Sequence, residues 1–205
     1  MSTRLYIVRH GQSKWNLESK IQGSTDIELS EEGIKQAYSL ARRLKYEKID
    51  IIYSSNLSRA YKTAEIIAKE FNIKVNILHE LREITFGVWE GLTNIEIENL
   101  YKEKYHTWKT DPTKVVIKNA ETLKQLQDRI LKGIYPLIEK NKDKNILIIS
   151  HGTSIKALIL GLLGIDLSFY PKIKQDNTAV NIIDIKDDGK PVLILLNDTC
   201  HLRER

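Results

Sequence analysis

The chain has 205 residues, 41% of them hydrophobic, a formal net charge of +5 and a single cysteine, Cys200. That length suits one core, and a lone cysteine excludes an intrachain disulfide framework and fits a reducing, cytoplasmic setting. No apolar run approaches the ~20 residues needed to cross a bilayer. Lysines, arginines and acids are interspersed rather than gathered in a stripe, so no nucleic-acid or membrane partner is expected, and the diffuse positive balance suits a small anionic ligand.

Leu5-Tyr6-Ile7-Val8 is a continuous apolar run ending at Arg9-His10-Gly11, the pattern of a buried parallel strand. Ser30 then caps a helix with Glu31 and Glu32 at its positive end and Ile34, Ala37, Tyr38, Ala41 and Leu44 at helical spacing. A strand over 49–53 precedes a helix over 57–71 with Arg59 in its first turn, where a helix amino terminus favours anions. Residues 75–78 read as a short strand, and 80–92, with two glycines and no period, as an extended loop. Thr93 and Glu96 have capping-box spacing and open an aromatic, basic helical excursion over about 93–118, placed to lie over a pocket. Leu123, Leu126, Ile130, Leu131, Ile134 and Ile138 define a long helix that Pro136 is expected to kink or end. A second apolar run, Ile146-Leu147-Ile148-Ile149, ends at Ser150-His151-Gly152 and leads into a helix over 153–163 with Gly164 as its C-cap. Runs 179–185 and 191–196 flank Asp187-Asp188-Gly189-Lys190, a hairpin signal. Alternating strands and helices predict an α/β fold in a single domain over 1–205: a three-layer αβα sandwich whose mainly parallel sheet has an antiparallel edge.

Ligands in open α/β sheets bind beyond the carboxyl ends of the strands, so His10 and His151 are expected at one rim, and each following glycine is expected to allow a sharp turn and a close approach. The alternative is two loop histidines that never meet. If they meet, Arg9 and Arg59 supply permanently charged forks for phosphate oxygens and disfavour protonation of a histidine, leaving a ring nitrogen free to attack. A metal site is the competing use, but His10, His79, His106, His151 and His201 show no HxH or HxxxH spacing, and neighbouring arginines repel a cation. No P-loop occurs.

Five ordered blocks carry a resemblance: Val8-Arg9-His10-Gly11-Gln12-Ser13-Lys14-Trp15-Asn16; Gln22-Gly23 with Asp26 and Leu29; Ser54-Ser55-Asn56-Leu57-Ser58-Arg59-Ala60 with Thr63-Ala64; Leu81-Arg82-Glu83 into Phe86-Gly87-Val88-Trp89-Glu90-Gly91; and Ser150-His151-Gly152. In order and spacing the chain resembles the histidine phosphatase superfamily, the branch that includes phosphoglycerate mutases. The resemblance implies a phosphoglycerate mutase-like fold and metal-independent hydrolysis of small phosphate monoesters, with no cofactor. It implies His10 as nucleophile, Arg9, Arg59 and His151 around the phosphoryl oxygens, and Glu83 as general acid and then base, with Glu80 and Glu90 as nearby rivals. Asn16 and Gln22 would add neutral donors, and Gly23 and Gly152 would complete the substrate contacts. One departure is Lys118-Asn119-Ala120-Glu121-Thr122, which stands where many members carry Pro-x-Gly-Glu-Ser ahead of the long helix.

Within the family, mutases carry a longer basic insertion after the acid. Here only residues 84–120 intervene, without an Arg-Arg pair, so water is the expected acceptor. Tyr101, Tyr105 and Trp108 are expected to form an apolar wall for the substrate, and Phe86 and Trp89 to pack in the core. Broad phosphomonoesterase, α-ribazole phosphatase, phosphoserine phosphatase, sugar phosphatase and phosphoglycerate mutase all stay open, as does a non-catalytic phosphate-binding module on the same fold.

Overall fold

The computed structural model describes residues 2–203. Its sheet has six strands, β1 (Thr3–Arg9), β2 (Ile51–Ser54), β3 (Val75–Ile77), β4 (Asn145–Ser150), β5 (Val180–Ile185) and β6 (Pro191–Asp198), in the spatial order β3-β2-β4-β1-β5-β6. β1 to β4 run parallel, and β5 and β6 form the antiparallel edge through the hairpin that the Asp187–Lys190 segment predicts. Among the described residues six α-helices accompany them: α1 (Lys14–Leu17), α2 (Glu31–Leu44), α3 (Ser58–Phe71), α4 (Asn94–Thr110), α5 (Leu123–Lys140) and α6 (Gly152–Leu163).

The two central strands are apolar on both faces because both faces are covered. Leu5, Ile7, Ile146 and Ile148 pack with Ile130 and Ile134 of α5 and Ile155 and Leu158 of α6. Tyr6, Val8, Leu147 and Ile149 face Leu40, Ala41 and Leu44 of α2 and Ala60, Ala64 and Ile67 of α3. Each such aliphatic side chain contributes roughly 1.5–3 kcal/mol on burial, and a one-residue slip would exchange the two faces, so the register of the strand ends is well specified. A third cluster, centred on Trp89, Ile97 and Leu160, lies under the excursion.

Several local expectations are revised. The long helix runs through Pro136 to Lys140. Pro136 is on the exposed face, where water can satisfy the carbonyl its missing N–H leaves unpaired. The apolar stripe of α2 is Ala37, Leu40, Ala41 and Leu44, packed beside Gly33, whereas Ile34 and Tyr38 are exposed. The 80–92 segment is not a uniformly extended loop, because 3-10 turns occupy His79–Leu81 and Gly87–Trp89. α4 starts with the Thr93/Glu96 capping box but is broken at Tyr101, whose φ and ψ of −137° and 39° are non-helical. Neither Gly11 nor Gly152 has positive φ. Gly11 is a packing glycine: a Cβ there would stand 2.4 Å from the Gly33 carbonyl oxygen, which is how α2 closes onto the end of β1. At Gly152 a Cβ would make only ordinary contact with Arg9 Nε, at 3.5 Å.

Candidate active site

Parallel pairing of β1 with β4 sets Arg9 opposite Ser150, so the next residues, His10 and His151, leave the sheet side by side. The His10 N–H donates to the Ser150 carbonyl at 3.0 Å, and the two imidazole centroids are 5.1 Å apart. Both rings are buried.

Hydrogen bonding assigns both tautomers. His10 Nδ1 lies 2.6 Å from the Gly11 carbonyl oxygen, which can only accept, so Nδ1 carries the proton and Nε2 keeps its lone pair. His151 Nε2 lies 2.9 Å from Ser55 Oγ, and Ser55 Oγ already accepts from the Leu57 N–H at 3.3 Å. No other acceptor for that buried hydroxyl hydrogen is found among the described residues, so it is assigned to Nε2, placing the His151 proton on Nδ1. Burial first, then the charges of Arg59 and Arg9, holds His10 well below the ordinary histidine range; burial, Arg59 and His10 do the same for His151. A neutral, correctly oriented imidazole is what nucleophilic attack requires.

Arg9 comes from the last residue of β1 and Arg59 from the first turn of α3. Arg9 Nη1 donates to the Gln175 carbonyl at 2.7 Å; Arg59 Nη1 and Nη2 donate to the carbonyls of Thr25 and Gly23, each at 2.8 Å. Burial lowers both guanidinium pKa values, that of Arg59 to about 10, and a guanidinium is basic enough to stay charged in proteins. Among the described residues neither has a carboxylate in ion-pair contact. Arg9 Nε, Arg59 Nε and His151 Nδ1 are buried without a protein partner; the fourth such atom, Trp89 Nε1, belongs to the cluster under the excursion. Unpaired buried donors are costly, and three on residues grouped around His10 are suited to an anionic ligand.

Glu83 faces the same cleft from the segment between the two 3-10 turns, with its carboxylate set against the first turn of α6. Its Oε2 accepts from the Thr153 N–H, and its Oε1 from the N–H groups of Ser154 and Ile84, all at 3.0 Å. Arg129 of α5 pins the segment that carries it, donating to the carbonyls of Glu80 and Arg82 at 2.7 and 3.2 Å while both Glu121 oxygens accept from Nη2 and Nε. The departing Lys118–Thr122 motif thus keeps its acid, and the left-handed residue there is Asn119 rather than Ala120. The rival Glu90 is occupied elsewhere, accepting from Ser24, Thr25 and Phe86. Glu80 falls outside the cleft lining.

A cleft of about 490 Å³ opens over these groups, lined by Arg9, His10, Asn16, Gln22, Gly23, Arg59, Glu83 and Gly152, with His151 buried behind His10. Asn16 Oδ1 is taken by the Ser13 N–H and Asn177 Nδ2, and Gln22 Oε1 by Ser13 Oγ, so each amide has its NH₂ left to offer a ligand. Gly23 adopts φ +52°, and a Cβ would strike Glu90 Oε1 at 2.2 Å. Of the expected aromatic wall only Trp108 reaches the cleft, joined by Phe86 at 5.3 Å between centroids. Tyr101 and Tyr105 turn instead onto Trp89. Lys156, Tyr170 and Gln175 also line the cleft and escaped sequence reasoning. Lys156 was within reach of it, four residues after Gly152 on one helix face; Gln175 contributes a backbone carbonyl and leaves no pattern.

A family model for the histidine phosphatase superfamily, branch 1, matches residues 5–199. The chain belongs to this family. Phosphoserine phosphatase 1 of Hydrogenobacter thermophilus is 35% identical over 201 residues, covering 98% of this chain and 95% of the relative. A phosphoserine phosphatase from Entamoeba histolytica, solved in complex with phosphoserine, superimposes with a TM-score of 0.88 at 36% identity, covering 98% of this chain and all (100%) of the other. YhfR from Bacillus stearothermophilus gives a TM-score of 0.93 at 30% identity, with coverage of 98% and 100%. This histidine phosphatase has the phosphoglycerate mutase-like fold and is a hydrolase acting on phosphate monoesters.

The buried neutral imidazoles tie the site to stability. Unfolding returns His10 and His151 to a pKa near 6.5, so below that pH the unfolded chain binds protons the native chain refuses. Stability is complete above about pH 6.5 and falls as pH drops toward the depressed native values, by up to ~1.4 kcal/mol per pH unit for each histidine. His201, pulled down to about 4 by burial and Arg43, acts in the same direction but less, being partly exposed. Urea midpoints in phosphate-free buffer should fall from pH 7 to pH 5; a flat profile would contradict the buried neutral pair.

Proposed function

We propose that residues 1–205 act as one catalytic unit that hydrolyses small organic phosphate monoesters, such as a phosphoserine-like metabolite, through a phosphohistidine on His10. His10 Nε2 forms the N–P bond as the ester P–O bond breaks, and Glu83 serves as the general acid that delivers a proton to the departing alkoxide. Arg9, Arg59 and His151 Nδ1–H hold the three equatorial oxygens, with the amides of Asn16 and Gln22 in support. Water then attacks phosphorus, its proton returns to Glu83, the N–P bond breaks and His10 is again neutral. The observation carrying this reading is the set of three unpartnered buried nitrogens grouped with the lone pair of His10.

No step calls for a metal, and the single thiol, Cys200, fits work in the cytoplasm. Phosphate release from p-nitrophenyl phosphate and from metabolite phosphates should persist in EDTA. Loss of activity in EDTA would overturn the mechanism. Faster interconversion of 2- and 3-phosphoglycerate, primed by the bisphosphate, than phosphate release would make the acceptor a second substrate rather than water.

A further inference from the structure

We propose that Lys156 is a specificity residue that receives a carboxylate on the leaving group, so that the preferred substrates are phosphomonoesters carrying a second anion. This rests on the phosphatase reading above and assigns the part of the cleft beyond the phosphoryl group.

Among the described residues four lysines line the cleft. Lys20 pairs with Glu18 at 2.6 Å and Lys174 with Asp176 at 3.0 Å; Lys172, whose Nζ lies 4.4 Å from the centroid of the Phe169 ring, is exposed to solvent, whereas Lys156 is half-buried. Lys156 has no acidic partner among the described residues. Its Nζ sits 4.2 Å from the Tyr170 ring centroid and donates to the Tyr170 carbonyl at 3.4 Å, which leaves two of its three hydrogens unassigned. Tyr170 is itself buried, with its hydroxyl bonded to Thr153 Oγ1 and its ring edge-on to Trp108 at 5.7 Å, so the platform beneath the ammonium is rigid. An aromatic face and one carbonyl orient the cation but do not neutralise it.

The charged and titratable groups facing Lys156 are Arg9 from β1, Lys109 from α4, Glu83 from the segment between the two 3-10 turns, and Tyr170. Burial, then Arg9, pulls its pKa down to about 8. Glu83 is the one acid among them, and its oxygens are already held by the first turn of α6. A phosphoryl group answers the charges of Arg9 and Arg59. A second anion on the alcohol side would answer that of Lys156 and recover the cost of holding it partly desolvated. Beside it, Trp108 and Phe86 leave an apolar wall suited to a short carbon skeleton.

Two matched pairs isolate the carboxylate: phosphoserine with phosphoethanolamine, and 3-phosphoglycerate with glycerol 3-phosphate. The intact enzyme should favour the carboxylated member of at least one pair in kcat/KM, and Lys156→Met should lower that ratio about 10- to 100-fold, the range for a hydrogen bond to a charged group. Lys156→Arg should retain the preference, and it covers the case in which the methionine variant fails to fold. The preference of the intact enzyme for 3-phosphoglycerate should fade above about pH 8, as the ammonium loses its proton, and should persist to higher pH in the arginine variant. Neither member of that pair carries an amine to confuse the titration. No carboxylate preference in the intact enzyme, or a ratio unchanged in Lys156→Met, would overturn the assignment, the latter placing the lysine on the phosphoryl group shared by all substrates. Failure of the phosphatase reading is distinct: every ester, including p-nitrophenyl phosphate, would be inert.

Discussion

His10→Ala should abolish phosphoenzyme formation and lower turnover by about 10⁴-fold or more, the scale seen when a covalent nucleophile is deleted and only binding and electrostatic stabilisation remain. The size reflects the absence of a substitute. The other ring at the site, His151, has its nucleophilic Nε2 engaged with Ser55 Oγ and presents a protonated Nδ1, so it can stabilise charge but not attack. The substitution removes a ring whose hydrogen bond is to the adjacent Gly11 carbonyl, and Arg9 and Arg59 keep their carbonyl anchors. The variant should therefore still bind inorganic phosphate, measurable by calorimetry, while acid-labile, base-stable labelling by a ³²P-substrate disappears. Labelled protein or near-normal turnover in His10→Ala would move the nucleophile elsewhere.

The meeting of His10 and His151 was legible in sequence because β1 and β4 announce themselves as buried parallel strands, and paired parallel strands deliver the residues just beyond their carboxyl ends to one rim. His10, Arg9 and His151 come directly from that geometry. Arg59 comes from the same rule applied to β2 and α3. Legibility ended where position depends on long-range packing. Nothing local says that the Gln175 carbonyl will anchor Arg9, or that Tyr101 will break its helix and lie near Trp89 while Trp108 reaches the cleft. The choice of Glu83 over Glu90 was likewise a matter of tertiary partners: both lie in the same loop region, but Glu90 is spent on Ser24, Thr25 and Phe86. Pro136 shows the opposite error, a strong local rule set aside because the affected carbonyl is on the wet face of α5.

Glu83→Gln should slow hydrolysis of alkyl phosphates by about 10²–10⁴-fold, the range for general acid catalysis, and should do so selectively. An alkoxide needs a proton as it departs, whereas p-nitrophenolate leaves without one, so the first step on p-nitrophenyl phosphate should be affected far less. Its second step still needs a base for water. The variant should therefore release a burst of p-nitrophenol and accumulate the phosphohistidine that His10→Ala cannot form. This signature separates chemistry from structure. Glutamine retains one carbonyl oxygen for the N–H groups at the start of α6 but turns an NH₂ toward another of them, so some loss of order around Thr153 and Ser154 is expected. Disorder of that kind would lower activity on all esters together and would yield no burst. Glu90→Gln supplies the comparison: it disturbs the anchors of Ser24, Thr25 and Phe86 and should weaken folding and activity without dependence on the leaving group. Equal slowing of alkyl and nitrophenyl esters in Glu83→Gln, with no trapped phosphoenzyme, would strip Glu83 of the acid–base role and leave it as a cap on α6.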